Sequence, residues 1–117
     1  MKPETRNAVA AISAAIVKGK NISSVYSYSE QKHINISASV KDRKVKAYDY
    51  DSRCHIEGGL PSSVYHYGNR KHLEFKVNGS KVDGYDYDTS SHFQVSVRGS
   101  NVDVYDYEER SYFNYSV

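Results

Sequence analysis

One motif, Tyr-x-Tyr-x4-His, occurs four times after residue 25, and a fifth copy carries tyrosine in its last place. The tyrosine pairs are Tyr26 and Tyr28, Tyr48 and Tyr50, Tyr65 and Tyr67, Tyr85 and Tyr87, and Tyr105 and Tyr107, at steps of 22, 17, 20 and 20 residues. Five residues after the pairs come His33, His55, His72, His92 and Tyr112. Self-similarity at a fixed period means stacked copies of one supersecondary unit, each too small to bury its apolar face alone. That phase restricts the chain to an array of hairpins or a solenoid.

Within each unit apolar and polar residues alternate with period two on both sides of a short polar stretch, the pattern of a β-hairpin. Asn78-Gly79 is a strong hairpin signal because a type I′ turn needs positive φ at both central residues, and Asp42-Arg43 and Arg98-Gly99 occupy equivalent points. With Asn78-Gly79 as a two-residue loop, Val77 is expected opposite Ser80, Phe75 opposite Val82 and Leu73 opposite Gly84. With Asp88 to Ser91 as a four-residue loop, Tyr87 is expected opposite His92, Gly84 opposite Val95 and Val82 opposite Val97. The same rule sets Tyr28 against His33, Val25 against Ile36 and Tyr107 against Tyr112. Both turn types put Val82 and Gly84 on one face, so an antiparallel meander is self-consistent. One face collects Ile34, Ile36, Val40, Val45, Ala47, Leu73, Phe75, Val82, Phe93, Val95, Val102, Val104 and Phe113. The other collects the tyrosines and histidines with Asn35, Gln94 and Asn114.

The repeats follow a helix expected from Pro3 to Lys18, with Pro3 suited to its first position and Gly19 to its C′ position. From Asn7 to Val17 it carries no charge, and a helix apolar on nearly every side is buried on more than one. It spans roughly 22 Å, enough to cross four or five strands. Its alanines allow close approach, and Ala47 and Gly84 are small where it could lie. Either the sheet curls round the helix or two chains bring their helices together, since the strands otherwise leave a large apolar face bare. The expected fold is mainly β (α+β): one domain over 1–117, with a helix at 3–18 packed on a curved meander of about ten short strands, five hairpin repeats over 22–117. A parallel β-solenoid with an N-terminal helical cap is the alternative with the same period.

The chain has 117 residues, sixteen Lys plus Arg against fourteen Asp plus Glu, and a formal charge of +2, so net charge does not favour nucleic acid or a polybasic membrane anchor. A single cysteine, Cys54, excludes an internal disulfide framework and fits a reducing cytoplasm. The apolar stretch from Ala8 to Val17 is too short to span a bilayer.

The histidines would stand about 10 Å apart on a flat sheet, two strand spacings, which is too far for one metal ion. Their expected role is stacking on tyrosine. Asp49, Asp86 and Asp106 fall on the aliphatic face near strand ends, while Asp51, Asp88 and Glu108 open the long turns, where acceptors bond the backbone two or three residues on. No nucleophile elbow, phosphate-binding loop or zinc-hydrolase motif occurs, so no catalytic residue, metal or cofactor is assigned. The function expected is a non-catalytic interaction module that binds a protein or other macromolecule through a tyrosine- and histidine-rich sheet face or an oligomeric interface. Its face consists of Tyr26, Tyr28, His33, Tyr48, Tyr50, His55, Tyr65, Tyr67, His72, Tyr85, Tyr87, His92, Tyr105, Tyr107 and Tyr112. Alternatives are glycan or single-stranded nucleic-acid binding by the same face, with Lys32, Arg43, Lys71, Arg98 and Arg110 on phosphates, and a metal-dependent enzyme.

Overall fold

A computed structural model describes residues 1–117 as one helix and eleven strands. They are α1 (Pro3–Lys18), β1 (Val25–Ser27), β2 (Lys32–Ile34), β3 (Ile36–Lys41), β4 (Lys44–Asp49), β5 (Cys54–Gly59), β6 (Ser63–His66), β7 (Lys71–Asn78), β8 (Lys81–Asp86), β9 (Ser91–Arg98), β10 (Asn101–Asp106) and β11 (Ser111–Ser116). They form one sheet, ordered β2-β1-β11-β10-β9-β8-β7-β6-β5-β4-β3, in which every ladder is antiparallel. The meander is therefore as expected, and the parallel solenoid is not the fold.

The two ends of that order meet. β2 and β3 are consecutive, separated only by Asn35; the first pairs with β1 through Val25 and Ile34, the second with β4 through Ile36 and Asp49. Ile22, just before β1, exchanges two backbone hydrogen bonds of 2.8 Å with Ala38 of β3. One interrupted strand thus serves both edges, and little unpaired backbone is left as a template for aggregation.

The curled sheet encloses α1. No residue from Ala8 to Ala15 exposes more than 1 % of its surface. Val9 and Ile12 share one core with Ile36, Ile56, Leu73, Phe75, Phe93, Val95, Val104 and Tyr115. Burying side chains of this size contributes about 1.5–3 kcal/mol each. Pro3 opens the helix, and Gly19 ends it at φ 63°, its N–H donating to the Ala15 carbonyl at 3.0 Å. Of the two ways to cover the apolar face, the single chain uses curling, and pairing of helices between chains has no helix face left to use. No helix is long and apolar enough to cross a membrane.

Which residues face inward follows the expected alternation, with Val40 and Phe113 only half-buried. The pairings themselves differ from expectation. Val77 lies opposite Val82, Phe75 opposite Gly84 and Leu73 opposite Asp86, because the loop is Gly79-Ser80, with Gly79 at φ 63° and Asn78 still in the strand. Asp42-Arg43 does form the two-residue loop, both residues at positive φ, whereas the third such turn is Gly99-Ser100. In the long turns Tyr85, not Tyr87, faces His92, Gly84 faces Phe93, and Val82 faces Val95. Likewise Tyr26 faces His33, Val25 faces Ile34, and Tyr105 faces Tyr112. Each partner is displaced by two residues, and an even displacement leaves the faces unchanged.

Gly84 also has a different role from the one expected. A Cβ there would collide with the Phe93 ring and the Glu74 carbonyl, so its space belongs to the aromatic ring across the ladder, not to the helix. Phe93 in turn meets Phe75 edge to face at 5.6 Å. Overpacking of this kind costs about 1–3 kcal/mol. Gly84→Ala and Ala11→Leu are therefore each expected to lower the urea midpoint by that equivalent, and an unchanged midpoint for both would refute the packing described.

Candidate binding surface

The five long turns, Tyr28–Gln31, Tyr50–Arg53, Tyr67–Arg70, Tyr87–Ser90 and Tyr107–Arg110, all lie at the end of the barrel where α1 begins. Contacts of the helix start fix this: Asn7 Nδ2 donates to Glu30 at 3.2 Å, Asn69 Nδ2 donates to Thr5 Oγ1 at 2.8 Å, and Lys2 pairs with Asp88 at 3.3 Å. The last residue of each turn has positive φ between 54° and 57°: Gln31, Arg53, Arg70, Ser90 and Arg110.

On the outer wall beside each turn stands an aromatic triad. The first tyrosine is half-buried and touches the second edge to face, with centroids 4.7–5.1 Å apart, and the cross-strand histidine or Tyr112 at 4.7–4.9 Å. Such pairs contribute about 0.5–1.5 kcal/mol beyond area burial. The second tyrosine, placed in the turn itself, is the open member: Tyr28, Tyr50, Tyr67, Tyr87 and Tyr107 expose 47–58 %, and Tyr112 exposes 67 %. Neighbouring triads are tied through backbone, as where Tyr87 N–H donates to the His72 carbonyl and Tyr107 N–H to that of His92, each at 3.2 Å. All fifteen residues expected on the binding face are on this wall, arranged as a belt.

The residue between the two tyrosines points the other way, into the barrel mouth. Ser27, Asp49, His66, Asp86 and Asp106 are each at most 2 % exposed. Each accepts a hydrogen bond from the backbone of its own turn: Ser27 Oγ from Glu30, Asp49 Oδ1 from Asp51 and Ser52, His66 Nδ1 from Asn69, Asp86 Oδ1 from Asp88, and Asp106 Oδ1 from Glu108. The turn caps are therefore Asp49, Asp86 and Asp106, not Asp51, Asp88 and Glu108. The inward side chain seizes the N–H groups, so the chain turns one residue earlier than its polar composition suggests. The clue available in sequence was the short acceptor at the same place in four of five copies.

Those carboxylates surround the positive end of the helix dipole. The α-ammonium of Met1 pairs with Asp106 and Glu108, and Arg6 reaches Asp106 at 3.2 Å while lying 3.7 Å over the Phe113 ring. Tyr115, absent from the expected core, donates from its hydroxyl to Asn7 Oδ1 at 2.7 Å, and burial holds that phenol well above its usual range. Burial likewise pushes the Asp86 carboxyl upward, against the opposing pull of its N–H and Thr89 hydrogen bonds.

No three His, Cys, Asp or Glu side chains converge closely enough to hold a metal ion. His33, His55, His72 and His92 are spread round a convex wall, each on its own tyrosine. The cations Lys32, Lys71 and Arg110 lie at the tyrosine end and Arg43 and Arg98 at the other, so they do not form one phosphate track. Comparison with known protein families, with characterised proteins and with solved structures finds no match.

His66 is the one titratable base among the inward caps. Burial lowers its pKa below the ordinary value near 6.5, against the opposing charges of Asp49 and Asp86, and its Nε2 has no partner. A base with a lowered pKa in the folded state binds fewer protons than in the unfolded chain. Stability is thus full above pH 6.5 and falls as the pH drops below it. His66→Ser, which installs the Ser27 type of cap, is expected to flatten the denaturation midpoint between about pH 7 and pH 5. An unaltered slope in that window would assign it to other groups.

Proposed function

We propose that this protein is a non-catalytic interaction module that engages a protein partner through its outer tyrosine and histidine belt. The observation that carries the reading is the repetition of one exposed aromatic triad five times round a barrel whose interior is filled by its own helix. With the interior occupied, a binding function falls to the outer wall.

Three features support a protein partner. Tyrosine offers a large, rigid, amphipathic contact at little cost in side-chain entropy, and each second tyrosine is already held against the first. The phenols stand about half exposed without internal cover, where isolated surface aromatics would ordinarily be fewer and more scattered. The turns beside them place arginine at positive φ three times, at Arg53, Arg70 and Arg110, although glycine would occupy that conformation without steric cost. Arginine and tyrosine together are the side chains most enriched where binding energy concentrates.

Because the second tyrosines sit in turns outside the core, they are replaceable without unfolding the barrel. The triple variant Tyr28→Ser, Tyr87→Ser, Tyr107→Ser is expected to keep the circular dichroism spectrum of the parent. Its recovery of a specific partner in quantitative affinity purification from the producing cells is expected to drop at least about tenfold, as loss of hot-spot residues implies. Retention of every partner by a folded triple variant would end the proposal.

A further inference from the structure

The net charge of +2 conceals a strongly uneven distribution. At the end of the barrel where α1 finishes, the β3–β4 hairpin carries Lys41, Arg43, Lys44 and Lys46, with Asp42 in its turn and Glu57 across the ladder from Lys46. That the two ends differ follows from the fold: Lys18 donates to the Gly99 carbonyl at 2.7 Å, which fixes this rim opposite the acidic mouth. Lys41 and Lys44 stand directly across from each other in the ladder, with Arg43 between them in the turn. Like charges at such a position destabilise a hairpin. The cations that form ion pairs are Met1, Lys2, Arg6, Lys76 and Arg98, with His55 beside Glu57; none of them belongs to this patch. Glu57 faces Lys46 across the ladder, whereas Lys41, Arg43 and Lys44 form no ion pair and crowd the hairpin tip, a surface suited to an anionic partner.

A groove of about 350 Å³ runs along the adjoining outer wall, lined by Lys44, Lys46, Glu57, Gly58, Gly59 and Tyr67. Its floor is backbone: Gly58 has φ 148°, and a Cβ there would overlap the Ser63 carbonyl. Glu57 is drawn toward His55, whose Nδ1 lies 3.3 Å from its carboxylate. Tyr67, 54 % exposed and edge to face with Tyr65 at 4.9 Å, closes the groove. Cations along one side and an open ring at the end match the two demands of an unpaired nucleic-acid strand, charge neutralisation of the backbone and a stacking platform for a base.

We infer that the basic β3–β4 hairpin and the Lys44–Tyr67 groove form a binding surface for single-stranded nucleic acid. Lys41, Arg43, Lys44 and Lys46 contact phosphates, and Tyr67 stacks on a base. The hairpin tip from Lys41 to Lys44 has no aromatic or aliphatic residue to enter a lipid headgroup layer, which separates this surface from a membrane-adsorbing one. Duplex ends its bases in stacked pairs and leaves Tyr67 unused. The inference goes beyond the binding reading above, on a different surface and with a different class of partner, and shares with it only Tyr67.

Fluorescence anisotropy of a labelled oligothymidylate at about 50 mM salt tests it, this being the regime where phosphate contacts are strongest. The parent protein is expected to bind with an affinity that falls as salt rises. Replacing Lys41, Arg43 and Lys44 with Gln is expected to weaken binding at least about tenfold and to reduce the log–log salt slope by about 2, from about 0.7 per phosphate contact. Tyr67→Ser is expected to lose about fivefold or more. The Tyr28, Tyr87, Tyr107 variant should bind the oligonucleotide as the parent does, so failure of the belt reading and failure of this one are distinguishable. No binding by the parent, undiminished binding by the folded Gln variant, or equal affinity for inorganic polyphosphate would each overturn the inference. Binding to phosphatidylserine vesicles in place of the oligonucleotide would reassign the patch to membranes.

Discussion

The structure depends on burying an uncharged helix on every side. A sheet lying flat against α1 would cover one flank and leave Val9, Ile12 and the alanine rows open elsewhere; only a wall carried round the whole circumference removes them from water. Ten short staves are enough because alanine keeps the helix thin, and because the interrupted strand through Asn35 lends one half to each edge of the sheet. Closure and helix burial are thus one requirement met by one geometry. The tyrosine belt exists as a belt, and not as a stripe, because of it.

Filling a barrel with a helix creates a second problem at the mouth, where turn N–H groups and the helix start need acceptors away from bulk water. The inward residues between the tyrosines solve both. Asp49, Asp86 and Asp106 cap their own turns and set negative charge around the positive end of α1, with Arg6 and the Met1 ammonium as counter-charges. His66 does the capping without a charge, held neutral by burial. The repeat unit therefore faces two ways at adjacent positions: aromatic toward solvent for contact, polar toward the interior for support.

That division explains what sequence reasoning could reach. Alternation of period two assigned Phe75, Val82, Phe93 and Val104 to the interior and the tyrosines to the exterior, since parity survives any even error in pairing. It set Tyr87 against His92 where the structure sets Tyr85, because the decision lies with the Asp86 side chain closing the turn from inside. Gly84 read as room for the helix, whereas the ring of Phe93, its partner on the adjacent strand, takes that space; which neighbour fills a gap is a matter of packing in three dimensions.

By itself, then, the sequence determined the elements, their order, their inward and outward faces and the five-fold recurrence of the aromatic unit, because these follow from local periodicity and turn chemistry. Tertiary structure alone decided that the sheet closes on its own helix and that the central Asp and His side chains are buried beside the start of that helix. Both join the N-terminal helix to strands far along the chain, and that proximity is created only when the sheet closes and β11 pairs with β1.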